Sequence, residues 1–322
     1  MSPLHCVIVT PAPPGSRAGN RNTAVRWARI LRGLGLRVDI ATEWRDGDHD
    51  LMIALHARRS RTAMLHWRQR CPHRPLILAL TGTDLYRDIR SDAGAADSLE
   101  LADRLVVLQA CGLDELTPAQ RAKARVILQS ETARGVWAPP RRFMRFAAIG
   151  HLREEKDPLR AAHALGLLRA LAAVRVVQVG AALVPAWAQE AQALIQREPR
   201  YRWRGEVPHW QALKLLRQSH ALVISSLMEG GAHVVSEAIV HGVPVLASDI
   251  PGNVGLLGAD YAGYFRVGDT AALAALMRRA HEEPAFLRTL HKAVVARQPL
   301  FTPEREVAAW RATIADFYPR PK

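Results

Sequence analysis

The sequence predicts an α/β protein of two domains, and three observations support this class. Short apolar runs alternate with segments of helical period along the chain, which is the pattern of parallel sheets covered by helices. The alternation stops at residues 131–145, where a glycine, two prolines and four arginines indicate a linker, and then starts again. The length of 322 residues suits two domains, which we place at residues 1–140 and 141–300.

The first half is expected to contain a sheet of six strands. Residues 5–10 (HCVIVT) form a short apolar run that predicts the first strand. A loop rich in proline and glycine follows, and residues 22–34 then place Trp27, Leu31 and Leu34 on one helical face. The further strands are predicted at residues 36–41, 50–56, 75–81, 104–108 and 125–129.

The second half repeats this order and ends in helices. Its strands are predicted at residues 146–149, 175–180, 201–204, 221–225 and 244–247. Its helices are predicted at residues 157–172, 185–197, 209–218 and 233–240, and again from residue 270 onward, including 304–317. Two Rossmann-like halves explain this order. Because ligands of open parallel sheets bind at the carboxyl ends of the strands, functional residues are expected directly after strands.

Composition excludes several classes of protein. The formal net charge of +14 is spread over both halves without a dense Lys/Arg block, so anionic small molecules suit it and nucleic acid is not expected as a partner. Three scattered cysteines cannot form a disulfide framework. We find no signal-peptide pattern and no apolar run that could cross a membrane, so we expect a cytoplasmic protein without membrane insertion. The oligomeric state stays open.

The segment SSLMEGGAHVVSEAIVHG, residues 225–242, is the most informative motif. It follows a predicted strand, and its helix is expected to begin near Ala232. Gly230 and Gly231 let the backbone approach a ligand, and a helix amino terminus offers unpaired N–H groups with a partial positive charge. Glu229 and Glu237 flank this phosphate seat, and carboxylates accept hydrogen bonds from sugar hydroxyls. An ordinary strand-to-helix loop is the alternative.

Two further loops carry positive charge after strands. GHLREEKDP, residues 150–158, contains Arg153 and Lys156, which could neutralise a diphosphate without a metal; a solvated charge run is the alternative. TPAPPGSRAGNRNT, residues 10–23, lacks the third glycine of a dinucleotide fingerprint, which disfavours a nicotinamide dehydrogenase. Arg17 and Arg21 in this loop could bind an anion or be exposed arginines.

Residues 46–50 (DGDHD) resemble a metal-ligand cluster. Their place between two predicted strands favours a polar turn. We therefore predict no metal site in the chain.

The second half resembles the retaining GT-B glycosyltransferases of the family 4 type. Glu229 and Glu237 have the E-x7-E spacing of that family, and GVPVLASDIPGN follows as its next strand. The resemblance implies two Rossmann-like domains that face each other across a cleft. The amino-terminal domain is expected to hold the acceptor and the carboxyl-terminal domain the UDP-sugar. A helix in residues 301–322 is expected to pack back on the first domain.

The resemblance also implies roles for residues. Glu237 is expected to bind the ribose, Glu229 to face the donor sugar, and Lys156 with Arg153 to clamp the diphosphate. His151 stands where the family has arginine. The residues implied in donor binding are Glu237, Glu229, Gly230, Gly231, Ala232, His233, His151, Arg153, Lys156 and Gly15, and those implied in catalysis are Glu229, Lys156 and Arg153.

The first half points to a narrower branch. Many relatives have His-Gly where this chain has Thr81 and Gly82, followed by Thr83. Together with the other motifs, LTGTDLY resembles the selenosugar synthases of selenoneine biosynthesis, which join a UDP-sugar, typically UDP-N-acetylglucosamine, to selenophosphate and give a 1-selenosugar. A selenophosphate anion needs no base to remove a proton before attack. The acceptor residues expected from this are Arg17, Asn20, Arg21, Thr81 and Thr83.

Two other functions stay open at this point. One is a conventional family 4 hexosyltransferase with a hydroxyl acceptor. The other is a non-catalytic basic α/β module that binds nucleic acid. No cofactor beyond the UDP-sugar co-substrate is expected. The role of His56, which ends a predicted strand at the same sheet edge as Thr81, is left undecided.

Overall fold

The computed structural model describes residues 3–318. The chain forms two compact units, one with the described residues up to Gln129 and from Pro303 onward, the other with Ser130–Thr302. Each unit is built on a six-stranded sheet in which every recorded strand pair is parallel. The predicted α/β architecture with two Rossmann-like halves is therefore confirmed.

The first sheet has the strand order β2-β1-β3-β4-β5-β6. Strands β1 to β6 are His5–Val9, Arg37–Ala41, Leu51–Leu55, Leu76–Leu80, Arg104–Val107 and Ala124–Val126. Helices α1 to α5 are Gly19–Gly33, Arg61–Arg70, Ile89–Ser91, Ala93–Leu101 and Pro118–Ala122, with a π-helical turn at Asp84–Asp88 and a 3₁₀ turn at Ala110–Glu115. All five residues of β3 and of β4 are buried, as expected for parallel strands that are covered on both faces.

The second sheet has the strand order β12-β11-β10-β7-β8-β9. Strands β7 to β12 are Met144–Ile149, Val174–Val179, Tyr201–Trp203, Ala221–Ile224, Val245–Ser248 and Tyr264–Phe265. Helices α6 to α12 are Arg160–Gly166, Pro185–Arg197, His209–Arg217, His233–Val240, Pro251–Leu257, Thr270–Glu282 and Pro284–Arg297, with 3₁₀ turns at Glu154–Lys156 and Gln298–Leu300. The sequence predicted neither the two-residue strand β12 nor the short helix α10.

The segment expected to be a linker is bound to the second unit. The Trp137 indole N–H donates to the carbonyl of Ser219 at 2.7 Å, and the ring stacks on His291 with centroids 4.8 Å apart. The amide of Arg134 donates to Nε2 of His241 at 3.1 Å. These contacts attach the segment, so the division falls after residue 129 rather than after residue 140.

The last helix, α13 (Pro303–Ala315), is part of the first unit. Trp310 packs edge-to-face on Trp27 of α1, with ring centroids 4.7 Å apart. The Trp27 indole N–H donates to Oε1 of the buried Glu306 at 3.0 Å, which satisfies a polar group inside the core. In residues 3–318, none of the helices combines the length and apolar character that crossing a membrane requires.

Candidate active site

The loop after β10, residues 225–232, is hydrogen-bonded to the loop that follows β7. The hydroxyl of Ser225 donates to the carbonyl of Asp157 at 2.8 Å, and the amide of Leu227 donates to the carbonyl of Glu155 at 2.9 Å. Strands β10 and β7 are paired in parallel, so both loops leave the same edge of the sheet. The two motifs predicted in this half therefore form one continuous surface.

An ion pair between Lys156 and Glu229 lies at the centre of this surface. The Lys156 ammonium contacts Oε1 of Glu229, and the Ser226 hydroxyl donates to the same oxygen at 2.6 Å. Glu229 is only 8% exposed, and a buried carboxylate is costly unless it is paired. Lys156 and Ser226 supply the ion pair and the hydrogen bond that stabilise its charge. A bound diphosphate or sugar would meet an ammonium and a carboxylate that are already held in place.

Gly252, at the start of α10, lets the chain pass close to Glu229. A Cβ atom built on Gly252 would lie 2.0 Å from the carbonyl oxygen of Glu229, a distance that no side chain can occupy. The sequence motif contains this glycine, but sequence reasoning assigned it no role. Its role is to allow α10 to support the backbone that carries Glu229.

The amino terminus of α9 is open to an anion. The helix begins at His233 after Ala232, and within the described chain no side chain caps it. The first turn also lacks an acidic residue, so unpaired N–H groups and the helix dipole leave a positive end. Gly230, Gly231, Ala232 and His233 lie at this end, next to the ion pair of Lys156 and Glu229 along the chain.

Glu237 lies one turn into α9 and joins a group of four residues, the Glu237 cluster: Glu131, His209, His233 and Glu237. Glu237 is buried, and its Oε1 lies 2.6 Å from Nε2 of His209 and 3.6 Å from Nε2 of His233. His233 Nε2 is also 3.2 Å from Oε2 of Glu131. The hydrogen bond that His209 Nε2 donates to Glu237 raises the pKa of His209, which favours the imidazolium.

Sequence reasoning missed two members of this cluster. Glu131 lies in the segment interpreted as a linker, and His209 stands at the start of a predicted helix with no motif around it. Both approach Glu237 through tertiary contacts between residues far apart in the chain. A single sequence contains no signal for such contacts.

His151 and Arg153 lie on the same loop as Lys156 but do not contact Glu229 in the described structure. Nδ1 of His151 accepts a hydrogen bond from the amide of Ala181 at 3.2 Å, so the imidazole is turned to the segment after β8. The Arg153 side chain is 41% exposed, and its Nε lies 4.0 Å from a carboxylate oxygen of Glu155. Lys156 is thus the cation that directly contacts Glu229, and Arg153 lies more exposed on the same loop.

Two groups among the described residues bring metal-ligating atoms together. One is part of the Glu237 cluster. The other contains His5, Asp39 and His49, the last from the 46–50 segment; Nε2 of His49 is 3.1 Å from Asp39 Oδ2. The Trp44 indole N–H donates to Nδ1 of His49 at 3.2 Å, so the neutral ring has its proton on Nε2. We interpret this second group as a hydrogen-bonded cluster, in which both histidines hold the pKa of Asp39 below its usual value.

In the first unit, the loop after β1 leads into an unusual helix start. Helix α1 follows Ala18, and within residues 3–318 no side chain caps it and no acidic residue lies in its first turn. Arg17, Asn20 and Arg21 lie at this positive helix end. Acidic side chains are the ones that stabilise a helix amino terminus, so two arginines there are unusual. Nη1 of Arg21 is buried, and no hydrogen-bond partner for it exists among the described residues. Gly15 adopts φ +81°, which turns the loop toward α1.

The turn after β4 is organised by a fully buried carboxylate, Asp84. Its Oδ1 accepts from the amides of Thr81 and Gly82 at 2.9 and 2.8 Å, and its Oδ2 accepts from the amide of Ala57 at 3.0 Å. The carboxylate ties the ends of β3 and β4 together. It also occupies the Thr81 and Gly82 amides, which are therefore not free to bind a substrate.

His56, at the end of β3, contacts the same turn. Its Nε2 lies 3.1 Å from the hydroxyl of Thr83 and 3.8 Å from Oδ2 of Asp88. The imidazole is buried, and burial lowers its pKa. The loop after β1, His56 and Thr83 all lie at the carboxyl edge of one sheet, because β1, β3 and β4 are adjacent and parallel.

Comparison with known proteins agrees with this architecture. Residues 129–295 match the family model of glycosyl transferases group 1. HepE from Anabaena, solved in complex with UDP and glucose, has a TM-score of 0.76 at 14% identity over 98% of this chain and 100% of HepE. Sucrose-phosphate synthase from Thermosynechococcus elongatus has a TM-score of 0.80 at 17% identity over 98% and 99% of the two chains. The lipopolysaccharide outer core galactosyltransferase WaaB in its apo form has a TM-score of 0.71 at 13% identity over 97% and 99%. These likenesses establish the GT-B fold.

Proposed function

This chain belongs to the group 1 glycosyltransferases, and we propose that it transfers a sugar from a UDP-sugar to selenophosphate, forming a C–Se bond. UDP-N-acetylglucosamine is the proposed donor and a 1-selenosugar the product. Family membership argues against a non-catalytic nucleic-acid module. The choice of selenophosphate over a hydroxyl acceptor depends on the first unit.

The second unit offers what a UDP-sugar requires. The open end of α9 and Lys156 supply positive charge for a diphosphate, and the carboxylates of Glu229 and Glu237 accept hydrogen bonds from sugar and ribose hydroxyls. HepE, which shares the fold, has been solved with UDP and with UDP-glucose. We propose that this chain binds its donor in the same unit.

One observation carries the choice of an anionic acceptor. The α1 amino terminus has positive partial charge, two nearby arginines and a buried Arg21 Nη1 without a partner among the described residues. A buried unsatisfied donor is costly, and positive side chains at a helix amino terminus are unfavourable. The oxygens of a phosphate-like group would accept from both the guanidinium and the helix N–H groups.

The proposed reaction needs little acid–base chemistry. Selenium attacks C1 of the sugar, the bond between C1 and the diphosphate oxygen breaks, and the electron pair leaves with UDP. Lys156, Arg153 and the α9 terminus stabilise the charge that develops on that oxygen. Water must then cleave the Se–P bond, which gives phosphate and the selenosugar.

Incubation with UDP-N-acetylglucosamine and selenophosphate tests the proposal. We expect UDP release that depends on selenophosphate and a hexosamine product with the isotope pattern of selenium in mass spectrometry. A panel of hydroxyl acceptors without selenophosphate is the comparison. Release of UDP with a hydroxyl acceptor and none with selenophosphate would contradict the proposal and favour the conventional hexosyltransferase.

Replacing Arg21 with alanine should raise the KM for selenophosphate about tenfold or more, the scale of losing one charge-assisted hydrogen bond. UDP affinity should change by less than about twofold, because Arg21 lies in the other unit from the proposed donor site. Arg29→Ala is the matched control, since Arg29 is exposed on the same helix. An Arg21→Ala variant that loses affinity for UDP and for selenophosphate equally would place Arg21 in the donor site. Normal kinetics in this variant would show that Arg21 binds neither substrate.

A further inference from the structure

We infer that His56 is a positioning residue for the acceptor: its imidazole makes the Thr83 hydroxyl a hydrogen-bond donor toward an anionic substrate. The inference rests on the proposed function, because it needs an anionic acceptor at this sheet edge. It assigns a role to the histidine that sequence reasoning left undecided.

The backbone of His56 is held in an unfavourable conformation. Its φ is +78°, a left-handed value that residues with a side chain rarely adopt. Hydrogen bonds hold it there: its amide donates to the Ala79 carbonyl at 2.9 Å, and its carbonyl accepts from the Ser60 amide at 3.1 Å. The Ser60 hydroxyl also donates to the Leu55 carbonyl at 2.6 Å. Strain that the surroundings maintain in this way is typical of functional positions.

The contacts of the ring determine where its proton lies. Nδ1 of His56 is 3.4 Å from the amide of Arg59, a group that can only donate, so Nδ1 carries the lone pair. The single proton of the neutral ring is therefore on Nε2, which donates to the Thr83 hydroxyl at 3.1 Å. Asp88 Oδ2 lies 3.8 Å from the same nitrogen, and the carboxylate of Asp84 and the guanidinium groups of Arg58 and Arg59 also act on the ring electrostatically.

The Thr83 hydroxyl keeps a proton that it can donate to a ligand. Its oxygen accepts from His56, and within the described structure the hydroxyl has no second partner, so its own proton is available for donation. Asp84 has already taken the amides of Thr81 and Gly82. The Thr83 hydroxyl is consequently a side-chain hydrogen-bond donor that this turn presents to a ligand.

A Thr83 hydroxyl that is fixed as a hydrogen-bond donor favours an anionic acceptor and disfavours an acceptor that must lose a proton. Phosphate-like oxygens only accept hydrogen bonds, so a hydroxyl fixed as a donor matches them. A sugar or lipid hydroxyl would need a base, and the His56 ring offers none because Nδ1 faces the Arg59 amide and Nε2 is protonated. His56 and Thr83 together thus select for the anionic acceptor.

A double-mutant cycle on the full-length enzyme tests this inference. His56→Asn and Thr83→Val should each raise the KM for selenophosphate about tenfold, as expected for one hydrogen bond to a charged group, with kcat and UDP affinity within about twofold. The double variant should be no worse than either single variant, because both changes remove the same donor. Asparagine tolerates the left-handed backbone better than most residues, and His66→Asn, exposed on α2, is the matched control.

Thr83→Ser keeps the inference testable if the His56 variant does not fold. This variant retains the hydroxyl and should keep a nearly normal KM, whereas Thr83→Val should not. Additive effects in the cycle, or an unchanged KM in Thr83→Val, would overturn the inference while selenophosphate-dependent activity of the unaltered enzyme upholds the proposed function. Absence of that activity in the unaltered enzyme would overturn both.

Discussion

Replacing Lys156 with alanine is expected to lower kcat by a factor on the order of 10² to 10³, the usual cost of removing one preorganised group that stabilises transition-state charge. In the free enzyme the Lys156 ammonium contacts the buried carboxylate of Glu229. Glu229 lies four residues before the first residue of α9, whose open end is proposed to hold the departing diphosphate. Loss of Lys156 removes a positive charge that we propose stabilises that leaving group.

The variant must be separated from a folding defect. Alanine leaves Glu229 buried without its cation, and breaking a buried pair from one side destabilises a protein. Lys156→Arg retains the charge and should recover part of kcat, while Glu229→Gln combined with Lys156→Ala removes both charges. Lys214→Ala, exposed on α8, is the matched control. Circular dichroism and thermal unfolding of each variant show whether the fold is intact.

Treatment with a chelator tests independently whether side chains, rather than a metal ion, neutralise the diphosphate. If Lys156 and Arg153 neutralise the diphosphate, activity after EDTA treatment should stay within about twofold of the untreated value, because the leaving group does not need a metal ion for its stabilisation. A fully active Lys156→Ala variant, or activity that depends absolutely on added magnesium or manganese, would contradict the assignment. Such dependence would direct attention to Glu131, His233 and Glu237, the three members of the Glu237 cluster whose potential metal-ligand atoms lie close together.

The fold was predictable because the strongest signals in the sequence come from burial. Strands β3 and β4 are buried at every residue, so their apolar runs are continuous and easily recognised. Short or irregular elements have no such signal. The two residues of β12 cannot show a period. The helix predicted at residues 157–172 is shortened to α6, since Asp157 adopts a left-handed φ of 43° and the helix ends at Gly166.

The site was predictable only where one segment contains it. Glu229 and Glu237 share a motif, and Lys156 lies in a second motif after the neighbouring strand, so the sequence indicates all three. The Ser226 contact to Glu229, the support from Gly252 and the contacts of Glu131 and His209 depend on the folded chain. His56 is an intermediate case: its position after a strand was visible, but its left-handed backbone was not.

Replacing Glu237 with alanine should weaken UDP binding by about 2–3 kcal/mol, the scale of hydrogen bonds to a charged group, or about 30- to 150-fold. Glu237 is 4% exposed and lies one turn into α9, beside the helix end proposed to hold the diphosphate. A ribose on that diphosphate would donate from two adjacent hydroxyls to one carboxylate. Isothermal titration calorimetry with UDP measures the effect, and Glu190→Ala, exposed on α7, is the matched control.

His209 makes the same assignment testable by pH. Its Nε2 is 2.6 Å from Glu237 Oε1, and this hydrogen bond raises the His209 pKa. Below that pKa the imidazolium engages the carboxylate and competes with the ribose; above it the imidazole is neutral and the competition weakens. UDP affinity should therefore increase as pH rises through the His209 pKa, and His209→Ala should abolish the dependence. A folded Glu237→Ala variant with unchanged UDP affinity would show that the ribose binds elsewhere, and a pH dependence that survives in His209→Ala would show that His209 does not compete for Glu237, since a carboxylate that contacts both groups must respond to each.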